Sequence, residues 1–313
     1  MLRGVITGLA AFVVMAIGVS PASAITFGQP DGTLHPEVGA LLADYDPDSP
    51  GPDLLCSGTL IAPSVFLTAS HCTAFLESQE IAADDVWVTF APTYDEDSTS
   101  TAGLFAGTYH THPLFGSGGA SNPFDIATVV LDESPGLTPA RLPKIGKLSR
   151  LRASGEIYRR TFTAVGYGTV RDVKTGGPHA FFFDGIRRYA LQSFLSLQKA
   201  WLTLSMNPST GSGGTCYGDS GGPHFLGGVS SNLIVSVTVT GDAMCRATDK
   251  TYRIDTPWAR DFLEQFPGVD YPEMKWGLPH RSTLVKPPPP SARSRERHRA
   301  ALRGNGDPSR RAR

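Results

Sequence analysis

Apolar and polar positions alternate in short runs along most of the chain, and clusters of glycine and proline separate the runs. Seven stretches carry the pattern: GALLADY (39–45), CSGTLIAPSVFLTA (56–69), DVWVTFAP (85–92), IATVVLD (126–132), RTFTAVGYGTV (160–170), RRYALQSFLSL (187–197) and NLIVSVTVTG (232–241). They are rich in Val, Thr, Leu and aromatics, residues that fit a half-buried pleated surface. Many short strands joined by turns predict an all-β architecture, a barrel or a sandwich. One helix breaks the pattern, in DTPWARDFLEQF (255–266). Asp255 or Thr256 can cap it, Pro257 suits its first turn, and Trp258, Phe262 and Phe266 recur on one face.

The two ends read differently. Arg3, an apolar run from Val5 to Val19 and the small-residue site Ala22-Ser23-Ala24 have the form of a secretory signal over residues 1–24. The run is short for a membrane anchor, so the expectation is an exported chain beginning at Ile25. From 271 to 313 the composition turns to four consecutive prolines followed by dense arginine. Residues 281–313 hold nine Arg and one Lys against Glu296 and Asp307, a net +8, which leaves −9 on residues 1–280. Such a tail has too little apolar content to pack and is expected to be disordered. It reads either as an attachment to an anionic surface or as a plain solvated extension. The overall net charge of −1 argues against a generally nucleic-acid-binding protein. With 313 residues and 40% hydrophobic content, the chain can bury one large or two medium units.

Chemistry concentrates in CYGDSGGPHF (216–225), where Asp219 and Ser220 stand between glycines. A serine hydroxyl is a poor nucleophile until a base takes its proton. LTASHC supplies a candidate base, His71, beside Cys72, and NPFDIATVVL places Asp125 at the head of an apolar run. An aspartate so placed can fix a histidine's tautomer. Each residue alone also has an ordinary structural reading. The four cysteines allow three pairings and fall into an early pair, Cys56 and Cys72, and a late pair, Cys216 and Cys245. There is no C-x-x-C spacing to favour a metal.

TASHC, DIATVV and GDSGGP, in that order, resemble the chymotrypsin-like (trypsin-family) serine peptidases, of the secreted bacterial type. The resemblance runs from Ile25 to about Phe266. It implies a peptidase domain over 25–270 built as two six-stranded antiparallel β-barrels, roughly 25–145 and 146–270, with a C-terminal helix. It implies that His71 is the general base, Asp125 its orienting partner and Ser220 the nucleophile, with the amides of Gly218 and Ser220 as oxyanion hole. The disulfides become Cys56–Cys72 and Cys216–Cys245. HPLF (112–115) and GYG (166–168) resemble further family segments, and IVSV (234–237) resembles the strand along which substrate lies, so Ser236 is expected to bond near Asp125. Freed by signal removal, the Ile25 amine is expected to pair with Asp219. The specificity pocket is expected to involve Gly214 at its floor, Ser236 and Thr238 along its wall and Lys250 nearby. Gly214 where an acid would select basic residues implies small or apolar residues before the cut, while an inward Lys250 would favour acidic ones.

The implied protein is a secreted, in one variant surface-attached, monomeric serine endopeptidase. It takes protein or peptide substrates and needs no cofactor, metal or specific nucleic acid. Two alternatives stand beside it: a peptidase-fold binding protein without turnover, and a G-x-S-x-G esterase, which needs a helix directly after Ser220. His110 and His112 form an H-x-H, and ESQEIAADD (77–85) holds several carboxylates, but neither shows a full ligand set. His224 is expected to be merely packed or exposed.

Overall fold

A computed structural model describes residues 25–171 and 180–272. The leader assigned to 1–24 and the tail beyond Pro272 lie outside the described residues. The first half contributes β1 (Gln29–Pro30), β2 (Val38–Ala43), β3 (Asp53–Ala62), β4 (Val65–Thr68), α1 (Ser70–Ser78), β5 (Val86–Thr89), β6 (Leu104–Thr111) and β7 (Ala127–Leu131). Strands β2 to β7 close into an antiparallel barrel in the order β2-β3-β4-β7-β6-β5. After α2 (Lys147–Ala153) come β8 (Thr161–Gly166), β9 (Val170–Arg171), β10 (Phe181–Phe182), β11 (Arg188–Leu197), β12 (Trp201–Ser205), β13 (Pro223–Leu226), β14 (Ile234–Gly241), β15 (Thr248–Arg253) and α3 (Pro257–Leu263).

The second barrel follows the order β8-β11-β12-β15-β14-β13 and returns to β8. It closes because β11 is long enough for two partners. Its first part pairs with β8 from Arg188 to Ser193, and its second part pairs with β12 from Ser193 to Leu197. Strand β1 adds to the start of β11, with Gln29 opposite Tyr189. The structure is therefore the all-β pair of six-stranded barrels with a C-terminal helix that the sequence implies. Closing each sheet removes exposed strand edges.

Each barrel is filled by the inward positions of its alternating strands. Leu41, Leu60, Phe66, Val88 and Val129 fill the first; Phe162, Leu202, Leu204 and Val235 fill the second. A third cluster is shared. Val38, Ile61, Leu67 and Ile126 come from the first half and Val165, Phe225, Val237 and Tyr252 from the second, joined by Phe262 and Leu263 of α3. Full burial of one such side chain contributes about 1.5–3 kcal/mol, so this seam fixes the barrels against one another. In α3 Thr256 is the N-cap, its Oγ1 accepting from Ala259 N at 3.3 Å. Asp255 does something else: its Oδ2 accepts from Leu148 N at 2.7 Å and ties α2 to the same corner. Tyr271, placed by composition at the head of the tail, is buried, and its hydroxyl donates to Ile254 O at 2.9 Å.

The segment before β2 is anchored by a buried charge cluster. Arg187 Nε donates to Asp31 Oδ2 at 2.9 Å, and its remaining nitrogens donate to Val38 O, Phe90 O and Gly32 O at 2.8, 3.0 and 2.8 Å. His35 Nδ1 bonds the other Asp31 oxygen, and its ring stacks on Phe225. Burial pushes the Asp31 carboxyl up, but the bond and charge of His35, with Arg187 behind them, outweigh it and hold it below the usual range. This pairing is what makes a fully buried aspartate tolerable.

Candidate active site

Helix α1 begins directly after β4, with Ala69 as its N-cap residue and His71 in its first turn. Ser70 anchors that turn. Its hydroxyl donates to Ile126 O and accepts from His112 N at 3.0 Å, tying the helix start to the residue after Asp125. Asp125 then holds His71 twice: Oδ1 accepts from His71 N and Oδ2 from His71 Nδ1, both at 2.9 Å. A neutral imidazole donating from Nδ1 carries its lone pair on Nε2. The Asp125 side chain is 5% exposed and that of His71 33%, so the carboxylate is shielded while the ring reaches solvent.

Ser220 is brought alongside by the backbone. Its carbonyl accepts from Ser57 N at 2.9 Å, and the carbonyl of Ser57 accepts from Thr68 Oγ1 at 2.9 Å. Ser57 follows Cys56, which is disulfide-bonded to Cys72, the neighbour of His71. Gly221 lies so close to the end of β4 that a Cβ there would stand 2.2 Å from Thr68 Oγ1. Ser220 Oγ itself has no hydrogen-bond partner among the described residues, His71 included. In a site without substrate such bonds are commonly loose and tighten on binding.

Two amides stand free next to this hydroxyl. Among the described residues neither Gly218 N nor Ser220 N donates to a protein acceptor. The carbonyl of Tyr217 accepts from Thr169 N at 2.7 Å. In a trans peptide the N–H of the next residue points the opposite way, so this bond orients the Gly218 amide. Gly218 has φ +90°, a conformation that glycine adopts readily and other residues rarely.

Asp219 turns inward and is fully buried. Oδ1 accepts from Gly168 N and Oδ2 from Cys216 N, both at 2.8 Å. The glycines of the GYG turn make room for it, since a Cβ on Gly166 would stand 2.2 Å from Oδ1 and one on Gly168 2.5 Å from Cγ. Burial pushes the carboxyl from 3.8 up to about 7, the two amide donors only partly opposing it. Ile25 is also fully buried, and the next residue, Thr26, bridges Gly214, with Oγ1 within hydrogen-bonding distance of Gly214 O and Cys245 O. The second disulfide, Cys216–Cys245, ties the same region together.

The expected pocket residues divide. Gly214 has Met206 packed against it: a Cβ on Gly214 would stand 2.2 Å from Met206 Cγ, and one on Gly241 3.5 Å from Met206 Cε. Thr238 pairs through its backbone with Gly221 N and Gly222 O at 2.8 and 2.9 Å, next to Ser220. Ser236 Oγ accepts from Thr251 Oγ1 at 2.8 Å, so the bond expected near Asp125 is not made among the described residues. Lys250 stands on the other face of β15, its Nζ 4.2 Å from the Trp201 ring centroid. That distance is a cation–π contact for the ammonium.

Several participants carry no sequence signal. Met206 and Gln192, whose Nε2 donates to Asp249 Oδ2 at 2.9 Å, lie in no motif. His224 is fully buried and bonds the same Asp249 oxygen through Nε2 at 2.9 Å. Ser57 and Ser70 adjoin motif residues and are ordinary small polar residues by sequence. His112 packs between Phe124 and Phe262, and His110 lies against Phe266. Among the described residues the one group of three metal-type ligand atoms is Cys56, His71 and Cys72, and its two sulfurs are bonded to each other. After Ser220 the chain enters strand β13, where an esterase elbow would need a helix.

Ser220, two amides without a protein acceptor and the aspartate-braced His71 all belong to the family-like motifs of the sequence, and the comparisons name a family. The family model described as Trypsin matches residues 46–261, and the chain belongs to the trypsin family of serine peptidases. The fold is similar to that of a solved structure of HL collagenase, at 17% identity and a TM-score of 0.54, covering 78% of this chain and 98% of that one. At this identity the likeness speaks for fold alone. No curated protein matches the chain.

Proposed function

We propose that this chain is an exported serine endopeptidase using His71, Asp125 and Ser220. The observation that carries the reading is the double hold of Asp125 on His71, through its backbone N–H and through Nδ1. That hold leaves Nε2 to take a proton. Ser220 Oγ attacks the scissile carbonyl and its proton passes to His71 Nε2. The carbonyl oxygen gains negative charge and is met by the amides of Gly218 and Ser220; loss of one such donor typically costs about 3 kcal/mol of transition-state stabilisation. Asp125 stabilises the imidazolium. His71 returns the proton to the leaving amine, an acyl-enzyme remains on Ser220, and water releases it by the same steps in reverse.

Export is supported by the signal-like leader and by the two disulfides, which persist in oxidising compartments. Substrates are proteins or peptides. Gly214 puts no charge at the pocket floor and Met206 fills the space against it, which favours small or apolar residues before the cut. Signal removal at Ala24 frees the Ile25 amine to meet Asp219.

The test is a fluorophosphonate probe applied to protein that begins at Ile25. We expect stoichiometric covalent labelling at Ser220 and none in Ser220→Ala. Failure of the correctly processed wild type to label would return the reading to a binding protein without turnover.

A further inference from the structure

We infer that Ser57 is a positioning residue that sets the oxyanion-binding amide of Gly218. The inference rests on the peptidase reading above. Ser57 lies on β3, in the first barrel, yet its side chain reaches into the second. Its Oγ donates to Gly218 O at 3.0 Å and accepts from Tyr167 N at 3.0 Å. Both capacities of the hydroxyl, one donor and one used acceptor, are spent on two backbone segments that flank the site.

Gly218 needs such a hold. A glycine at φ +90° has no side chain to limit its rotation: turning the Tyr217–Gly218 peptide would carry the Gly218 N–H away from the reacting carbonyl, and a loose Gly218–Asp219 peptide would leave Gly218 itself free to swing. The peptide before it is pinned where Tyr217 O accepts from Thr169 N at 2.7 Å. The peptide after it is pinned at both ends. Its carbonyl, that of Gly218, accepts from Ser57 Oγ at 3.0 Å, and its N–H, that of Asp219, donates to Cys216 O at 3.1 Å. Tyr167 and Thr169 belong to one short turn, so the same hydroxyl that holds Gly218 O also holds the turn supplying the other clamp. A single side chain thus fixes both planes around the donor. The backbone of Ser57 has a separate task, its N–H donating to Ser220 O at 2.9 Å, which a side-chain substitution leaves in place.

The location of Ser57 makes the coupling rigid. It follows Cys56, whose disulfide reaches Cys72 beside His71. The base and the oxyanion donor are therefore set from one point on β3. Preorganised donors act because they need no reorganisation as charge develops, and a donor left mobile loses part of that advantage.

The experiment compares wild type, Ser57→Ala and Ser57→Thr, each starting at Ile25, with an extended peptide substrate. For Ser57→Ala we expect kcat to fall about tenfold to a hundredfold with KM changed less than about twofold, since the lost order matters only as the oxyanion forms. Affinity for a peptide aldehyde, which places an oxyanion at Gly218, should fall in parallel, while affinity for the product peptide should not. Ser57→Thr keeps the hydroxyl and should restore most of the loss. Equal losses of aldehyde and product affinity, or a kcat within twofold of wild type in a folded Ser57→Ala, would overturn the assignment. So would a folded Ser57→Thr no better than Ser57→Ala. Should wild type itself neither label nor turn over, the peptidase reading fails first, and the Ser57 assignment, which rests on it, falls with it.

Discussion

Met206 is fully buried, with its Cγ and Sδ at 2.2 and 2.3 Å from where a Cβ on Gly214 would stand. A thioether on an unbranched chain fills irregular space and can be trimmed without changing charge. Met206→Ala should therefore enlarge the pocket, at a cost in stability of about 2–5 kcal/mol for a buried Met cut to Ala. Relative to a substrate with Ala before the cut, one with Phe there should gain about tenfold or more in kcat/KM, in the range that hydrophobic pocket contacts discriminate. An unchanged Phe-to-Ala ratio in a folded variant would place Met206 outside the pocket. Residues of this kind are where sequence reading runs out. Ser236 is reached by counting along strands, and counting fails at an irregularity: the β14–β15 pairing shifts between Thr238 and Thr240, and β13–β14 shifts between His224 and Phe225. Lys250 and Asp249 are adjacent on β15 and so point to opposite faces, which puts Asp249 inside with His224 and Lys250 on Trp201.

At the scale of elements, local signals and long-range assembly part company. The strands announce themselves by alternation, and α3 by its cap, its proline and its aromatic spacing. The β-bulges, the double partnership of β11 and the tuck of β1 beside it depend on contacts distant in sequence, which no local pattern encodes. His112 shows the consequence. By sequence it belongs to an H-x-H, but it lies just past the end of β6, where its ring meets Phe124 on one side and Phe262 of α3 on the other. Burial pulls its pKa from 6.5 to about 4, so the folded protein keeps the imidazole neutral. Between those values the unfolded chain binds a proton that the folded state refuses. Stability is therefore lost as pH falls through this window, by up to about 3 kcal/mol from this one junction. His112 Nδ1 accepts from Leu114 N at 3.1 Å, and an asparagine carbonyl can take that bond in the same two-residue turn. His112→Asn should flatten the acid limb of the stability curve between pH 6.5 and 4, read by denaturant unfolding at fixed pH. An acid limb identical to wild type would place the proton uptake elsewhere.

For the molecule as a whole, the N-terminal segment joins the barrels to the site. Arg187 and Asp31 hold it to both halves, β1 pairs with β11, and Thr26 bridges Gly214, so Ile25 arrives buried in the region tied by Cys216–Cys245. In the uncut chain Ile25 has φ 44°, an uncommon angle for a β-branched residue and one defined partly by the carbonyl of the residue before it. Cutting that bond removes the constraint and converts an amide into a cation. Asp219 is the group that stands to gain, since burial holds its pKa near 7 and the two amide donors oppose that only in part. A raised carboxyl pKa has a definite sign: the folded uncut chain binds the extra proton, so its stability declines as pH rises from 3.8 to about 7, by up to about 4 kcal/mol. An amine paired with the carboxylate lowers that pKa and should abolish the decline, up to the alkaline range where the amine deprotonates. Both forms share the rise with pH that His112 brings, but relative to protein beginning at Ile25, protein with one added residue ahead of Ile25 should lose stability as pH rises from 4 to 7 and label with fluorophosphonate at least tenfold more slowly. Matching pH profiles with equal labelling rates would mean that Asp219 finds its balance without the N-terminus, and that activity needs no cut at Ala24.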